Sequence, residues 1–221
     1  MIYLSHFIDN NSPVYGNDDG FKAKQLKSIN AGDTANTQLW QLPNHLGTHI
    51  DLPRHFYKGG RVLNDFSPNY FSCKNIAYVD LSFCIRSGML IGPEFFSDRC
   101  LDSSVEAIIV KTGFGTFRKE DMYWKENPGF DSGLAEYLRE RFKRIRFFGF
   151  DSISLTSYMW RDKGKVVHKE FLQDDHPIIP IEDMNLDILG QNSIIQKMII
   201  SPLLVNGADG TPVTIFADVL Y

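Results

Sequence analysis

Apolar residues along this chain come in short blocks, each bounded by polar, Gly- or Pro-bearing stretches, and hydrophobic period is the first guide to secondary structure. Residues 2–8 form a short β-like run, and residues 9–19 form a loop rich in Asn, Asp, Gly and Pro. Residues 35–42 alternate as a strand should and lead into an unusual segment at 44–56. Compact apolar strands are predicted at 76–81, 107–112 and 145–150, with Gly92-Pro93 opening a short helix between the first two. Leu134, Leu138 and Phe142 recur at helical spacing behind Asp131 or Ser132, either of which suits an N-cap. Residues 166–173 read as a helix, and 177–181, 194–201 and 213–219 as further strands. Strands and helices interleave throughout, which predicts an α/β fold. No repeat, low-complexity stretch or linker divides the chain, so residues 1–221 are expected to form a single domain.

Residues 44–56 read N-H-L-G-T-H-I-D-L-P-R-H-F, holding three of the six histidines (His45, His49, His55) and one carboxylate, Asp51. Imidazole and carboxylate are the donors that suit zinc and similar divalent metals. Gly47 and Pro53 oppose a helix, and Thr48 and Ile50 are β-branched. In an extended chain all four polar residues, at odd positions, would share one face. His49 and Asp51 would then stand roughly 6–7 Å apart, and His45 and His49 roughly 13 Å apart. The second separation strains joint chelation, so a bend is expected at Gly47, where φ is free. Four ligand-capable side chains among Leu46, Ile50, Leu52 and Phe56 would be costly to bury unsatisfied, so either a metal or a structural polar network must satisfy them.

The remaining composition narrows the setting. Hydrophobic content of 43% and aromatic content of 13% supply a packed core and aromatic material for a pocket. A net charge of −4 with no basic stripe argues against a nucleic-acid partner. Cys73, Cys84 and Cys100 are odd in number and form no C-x-x-C pair, which reads as reduced thiols of a cytoplasmic protein. The N-terminus lacks a basic region followed by an apolar one, so no signal peptide is expected. No apolar run is long enough to span a bilayer, so no membrane partner is expected. The chain has neither a G-x-S-x-G elbow nor a dinucleotide glycine pattern.

His45-Leu-Gly47-Thr48-His49-Ile-Asp51-Leu-Pro53-Arg-His55 resembles the signature H-x-G-T-H-x-D-x-P-x-H of the cyclase family. These are metal-dependent hydrolases that include bacterial kynurenine formamidase and isatin hydrolase. Further segments resemble the family in order: Val110-Lys-Thr112-Gly113, Gly149-Phe-Asp151-Ser152, the stretches around His168 and Glu182, and Gly207-Ala-Asp209-Gly210-Thr-Pro212. The chain departs in three places. Asp174-Asp175-His176 lengthens the gap between His168 and Glu182, Thr214 stands where an arginine is usual, and Tyr15 stands where tryptophan is common.

The resemblance implies a mixed, partly closed β-sheet flanked by helices, of the swivelling β/β/α type. It implies that His45, His49 and Asp51 bind one metal, and that Asp51 bridges to a second completed by His168 and Glu182. His176 competes with His168 for that place. Zinc, as one or two ions, is the implied cofactor, with manganese as the alternative. Such ions generate hydroxide near neutral pH and polarise a carbonyl. His55 would then transfer protons, or serve as a third ligand or a ligand's partner. Asp151 would orient a ligating histidine or merely cap the turn that follows it. Tyr15 would approach substrate or be an ordinary loop residue. The implied activity is hydrolysis of a C–N bond in a small aromatic or cyclic amide, kynurenine formamidase-like. The alternatives are isatin-type ring or lactone opening and, from another class, a non-catalytic metal or small-molecule binding module. The resemblance also implies a homo-oligomer, dimer or tetramer, whose neighbouring subunit shapes the pocket.

Overall fold

Residues 107–110, Ala-Ile-Ile-Val, have no polar face, so only a strand covered on both sides can accommodate them. That is how they are used. Ala107 and Ile109 point into one apolar core, and Ile108 and Val110 into another. Phe147 and Phe148 divide between the same two cores. The computed structural model describes residues 1–17, 19–173 and 175–221. In chain order its strands are β1 (Ile2–Tyr3), β2 (Lys22–Lys27), β3 (Thr37–Gln41), β4 (His49–Asp51), β5 (Ser72–Cys73) and β6 (Ile76–Asp80). Then follow β7 (Leu90–Ile91), β8 (Ala107–Lys111), β9 (Gly129–Phe130), β10 (Phe147–Phe150), β11 (Ile179–Glu182), β12 (Ile194–Pro202) and β13 (Gly210–Leu220). The helices are α1 (Glu94–Ser97), α2 (Met122–Lys125), α3 (Leu134–Arg141) and α4 (Arg161–Phe171).

A nine-stranded sheet runs β5-β12-β13-β4-β11-β10-β8-β6, with β1 added alongside β13. β6, β8, β10 and β11 are mutually parallel, whereas β4 is antiparallel to both β11 and β13. The two ends of this order, β5 and β6, are joined by only Lys74 and Asn75, so the sheet curls into a nearly closed barrel. One core, with Ile50, Ile109, Phe147, Ile181, Met198 and Ile215, lies inside the curl. The other, with Val110, Leu134, Leu138, Phe148, Phe150 and Phe171, packs α3 and α4 onto the parallel strands. This is the mixed, partly closed sheet that the family resemblance implies.

Most predicted elements appear, with instructive differences. The strand expected over 2–8 stops at Tyr3, and Ser5 then makes only a single bridge to Met184. Helix α4 starts at Arg161, five residues before the apolar spacing suggests, because Trp160, Arg161 and Lys163 leave its first turn outside the core. The N-cap of α3 is Gly133 at φ +82°, not Asp131 or Ser132; its N–H donates to Glu170 Oε2 at 2.9 Å. Strand β2, unpredicted because it alternates no apolar face, pairs with β3 in a hairpin whose strand residues are all exposed. Among the described residues, no helix is long and apolar enough to cross a membrane.

Candidate metal centre

Three-residue β4 is the centre of the site because of where the register places it. His49 lies opposite Glu182 of β11, and on the other side Asp51 lies opposite Gly210 of β13. Gly47 takes φ +64°, the expected bend, and folds the preceding turn back so that His45 Nδ1 meets Asp51 Oδ1 at 2.8 Å. After β4, Pro53 opens a 3₁₀ turn (Pro53–His55) that lays the His55 ring over His45, centroids 4.0 Å apart. The four side chains therefore converge, but not by strand alternation: only His49 and Asp51 lie on the strand. Gly210 completes the fit, since a Cβ there would strike the His45 ring and the Ile50 carbonyl.

His168 enters from α4. Its Nε2 lies 3.6 Å from both Asp51 Oδ2 and Glu182 Oε1. His49 Nε2 lies 3.4 Å from Glu182 Oε2 and 3.6 Å from Asp51 Oδ1. Two donor sets built around Asp51 result, His45-His49-Asp51 and Asp51-His168-Glu182, and a third group, His45-His55-Asp209, lies beside them, each with its donor atoms within 4.8 Å of one another. Asp51 is common to the first two, as the resemblance implies. The fit to a divalent cation rests on chemistry visible here. Asp51 and Glu182 are 2% and 4% exposed, and among the described residues neither is paired with a lysine or arginine. Two buried carboxylates need a compensating charge. His49 Nδ1 donates to the Gly47 carbonyl at 2.8 Å and His168 Nδ1 to the Gly164 carbonyl at 3.0 Å. These bonds leave each Nε2 lone pair facing inward when the ring is neutral. Glu182 Oε1 is held by the Leu155 N–H at 2.6 Å.

The electrostatics of the metal-free cluster agree. Burial alone would depress the His49 imidazole, but the Glu182 and Asp51 carboxylates outweigh it and raise its pKa to about 9. His45 and His168 are also raised, against burial, by the same kind of carboxylate contact. Asp51 and Glu182 are lowered in spite of burial, chiefly by hydrogen bonds from the imidazoles. In the absence of metal, protons therefore supply the positive charge that a cation would supply.

Behind Glu182 lies a feature that sequence reasoning missed. Asp183 adopts φ +52°, costly for a residue with a Cβ. Its carboxylate receives a two-pronged ion pair from Arg118, with Nη2–Oδ2 at 2.7 Å and Nε–Oδ1 at 2.8 Å, and the Tyr123 hydroxyl at 2.5 Å. Its carbonyl accepts from Thr48 Oγ1 at 2.5 Å, next to His49. Asp209 was likewise unassigned. Its Oδ2 lies 3.1 Å from His55 Nδ1 and 3.5 Å from His45 Nε2, and its Oδ1 accepts from Asn44 at 2.8 Å. The only hint of it in the sequence was its place in the Gly207-Ala-Asp209-Gly210 segment.

Asp151 neither orients a ligating histidine nor is held by the turn that follows it. Its carboxylate accepts from Thr112 N–H and Oγ1, both at 2.6 Å, and from Gly113 N–H at 2.9 Å, tying the ends of β8 and β10 together. The histidines' outer nitrogens meet backbone carbonyls and Asp209 instead. His176 lies away from the cluster, its Nε2 on the Ile145 carbonyl at 3.1 Å, so geometry favours His168. The inserted Asp174 falls outside the described residues. Tyr15 lines the cavity above the cluster, edge-on to Tyr158 at 5.6 Å, and burial pushes its phenol up. That cavity holds about 500 Å³, with Asp51, Glu182, His49 and His168 among its lining and Phe56 stacked on His168 at 4.6 Å.

Residues 2–156 match the sequence profile of the family described as "Putative cyclase". The chain belongs to the cyclase family. Kynurenine formamidase of Bacillus cereus is 26% identical over 96% of this chain and 94% of its own length. The fold is shared with an isatin hydrolase crystallised with the product analogue thioisatinate: TM-score 0.80, 14% identity, 98% of this chain and 92% of that one. It is shared too with a potential metal-dependent hydrolase with cyclase activity: TM-score 0.71, 21% identity, 98% of both chains.

Proposed function

We propose that this cyclase-family chain is a metal-dependent amidohydrolase that opens the C–N bond of a small aromatic or cyclic amide, in the manner of a kynurenine formamidase. The observation that carries this reading is the shared carboxylate: Asp51 belongs at once to the His45-His49 and the His168-Glu182 donor sets. His45, His49, Asp51, His168 and Glu182 would hold one or two zinc ions, or manganese. A bound ion of this kind supplies a nucleophilic water near neutral pH and polarises the carbonyl under attack. His55 moves the protons. Its Nδ1 is engaged by Asp209, leaving Nε2 to take a proton from the attacking water and return it to the departing nitrogen. Tyr15 and Phe56 provide aromatic walls for a flat substrate.

The test is a metal-loaded panel of N-formylarylamines, isatin and related lactams and lactones. Turnover of a formamide supports the formamidase reading. Turnover of isatin or a lactone alone supports the ring-opening alternative. Metal bound at full stoichiometry without turnover of any would mark a binding module instead. We further propose a cytoplasmic homo-oligomer, dimer or tetramer. The exposed β2–β3 hairpin supports this assembly, since it carries Leu26, Leu39 and Trp40 outward and a lone hairpin is marginal in water. A monomeric mass in solution scattering would refute it.

A further inference from the structure

The first two turns of α4 point cationic side chains over the cavity mouth. Arg161, Lys165 and His168 all line the cavity and fall at the i, i+4, i+7 positions of one helix face. At the helical rise, Lys165 stands about 4.5 Å and Arg161 about 10 Å along the axis from His168. Among the described residues, each acidic side chain lining the cavity is already engaged by a group other than Arg161 or Lys165. Asp19 pairs with Lys22 at 2.6 Å, Asp183 with Arg118, and Asp51 and Glu182 with the imidazoles. Among the described residues, Arg161 and Lys165 make no ion pair with a carboxylate. Nor is Arg161 loose. Its guanidinium lies 4.8 Å over the Tyr158 ring, which in turn meets Tyr15 edge-on. An aromatic wall thus presents a fork of N–H donors to the cavity.

We propose that Arg161 and Lys165 select substrates bearing a carboxylate about 5–10 Å from the scissile carbonyl, the span set by their distance along the helix from His168. This inference rests on the metal-hydrolase reading above. Within that reading it favours an acidic N-acyl arylamine over a neutral ring such as an unsubstituted cyclic amide. Arg161 offers the geometry that carboxylates prefer, while Lys165 adds a point charge nearer the reacting centre. Both lie at the rim in reach of water, so their contribution is a salt-sensitive preference, not an absolute requirement.

The experiment uses the zinc-loaded full chain and two matched ligands, benzohydroxamate with a para carboxylate and benzohydroxamate with a para carboxamide. The hydroxamate anchors both on the metal, and the para group reports the α4 face without any turnover. Calorimetry should show the carboxylate bound about tenfold tighter at low salt, with the preference shrinking as salt rises. In the Arg161→Met/Lys165→Met double variant the two ligands should bind within about twofold of each other, with carboxamide affinity unchanged. Equal affinities in the parent protein, or a preference that survives the double substitution, would overturn this inference alone. Failure of both hydroxamates to bind the metal-loaded protein would overturn the metal-hydrolase reading and this inference with it.

Discussion

Replacing Arg118 with methionine should expose how much of the centre depends on Asp183. The Asp183 side chain is 2% exposed and its pair with Arg118 is made through two nitrogens, so the substitution leaves a buried carboxylate without its counter-charge. Removing one partner of such a pair costs about 3–5 kcal/mol. The lower end applies here, because the Tyr123 hydroxyl still donates to Oδ1 and the Arg118 side chain is itself 16% exposed. For a chain of 221 residues, about 3 kcal/mol lowers Tm by about 6–12 °C. The measurement is thermal unfolding of the metal-free protein, beside the Arg118→Met/Asp183→Asn double variant, which no longer buries a charge and should recover most of the loss. Zinc titration of the single variant should also weaken, since Asp183 at φ +52° directs Glu182 and contacts Thr48 beside His49. A loss below about 1 kcal/mol, or a double variant no better than the single one, would show that water already screens the pair and that the reasoning is wrong.

Other outcomes follow from the same geometry. His55→Ala should keep its metal while turnover of the native substrate falls about 10²–10⁴-fold, and full-rate turnover would remove His55 from the chemistry. Asp51→Asn should lose metal at both positions, measurable by elemental analysis, whereas Glu182→Gln should spare the His45-His49-Asp51 set. His176→Ala should leave metal content and activity unchanged, because its ring is spent on the Ile145 carbonyl. The pH dependence of the metal-free protein has a definite sign. His49 is raised from 6.5 to about 9, so its contribution to stability is complete below pH 6.5 and is lost as pH climbs through 9. Asp51 and Glu182 are lowered, so theirs is present at neutral pH and lost on acidification. Thermal unfolding of metal-free protein should therefore weaken between pH 6.5 and 9, while zinc affinity rises across that window as the competing protons leave.

His45, His49 and Asp51 of the candidate metal centre stood out in the chain because such donors are chemically rare and locally crowded, whereas His168 and Glu182 were implied only by the family resemblance. Few segments place His45, His49, Asp51 and His55 within eleven residues, and Gly47 announced the turn that joins them. The double-sided strands at Ala107–Lys111 and Phe147–Phe150 were equally plain, since an unbroken apolar run must be buried on both faces. What only the tertiary structure decided depends on contacts between distant parts of the chain. That His55 stacks on His45 instead of sharing a strand face with it follows from a 3₁₀ turn at Pro53. That Asp209, not Asp151, approaches the histidines follows from β13 pairing with β4 across more than 150 residues of sequence. Arg118 and Asp183 are unremarkable as letters; burial together makes them a pair on which the centre leans. Local chemistry is written in neighbouring residues, whereas register and burial arise only when the sheet closes.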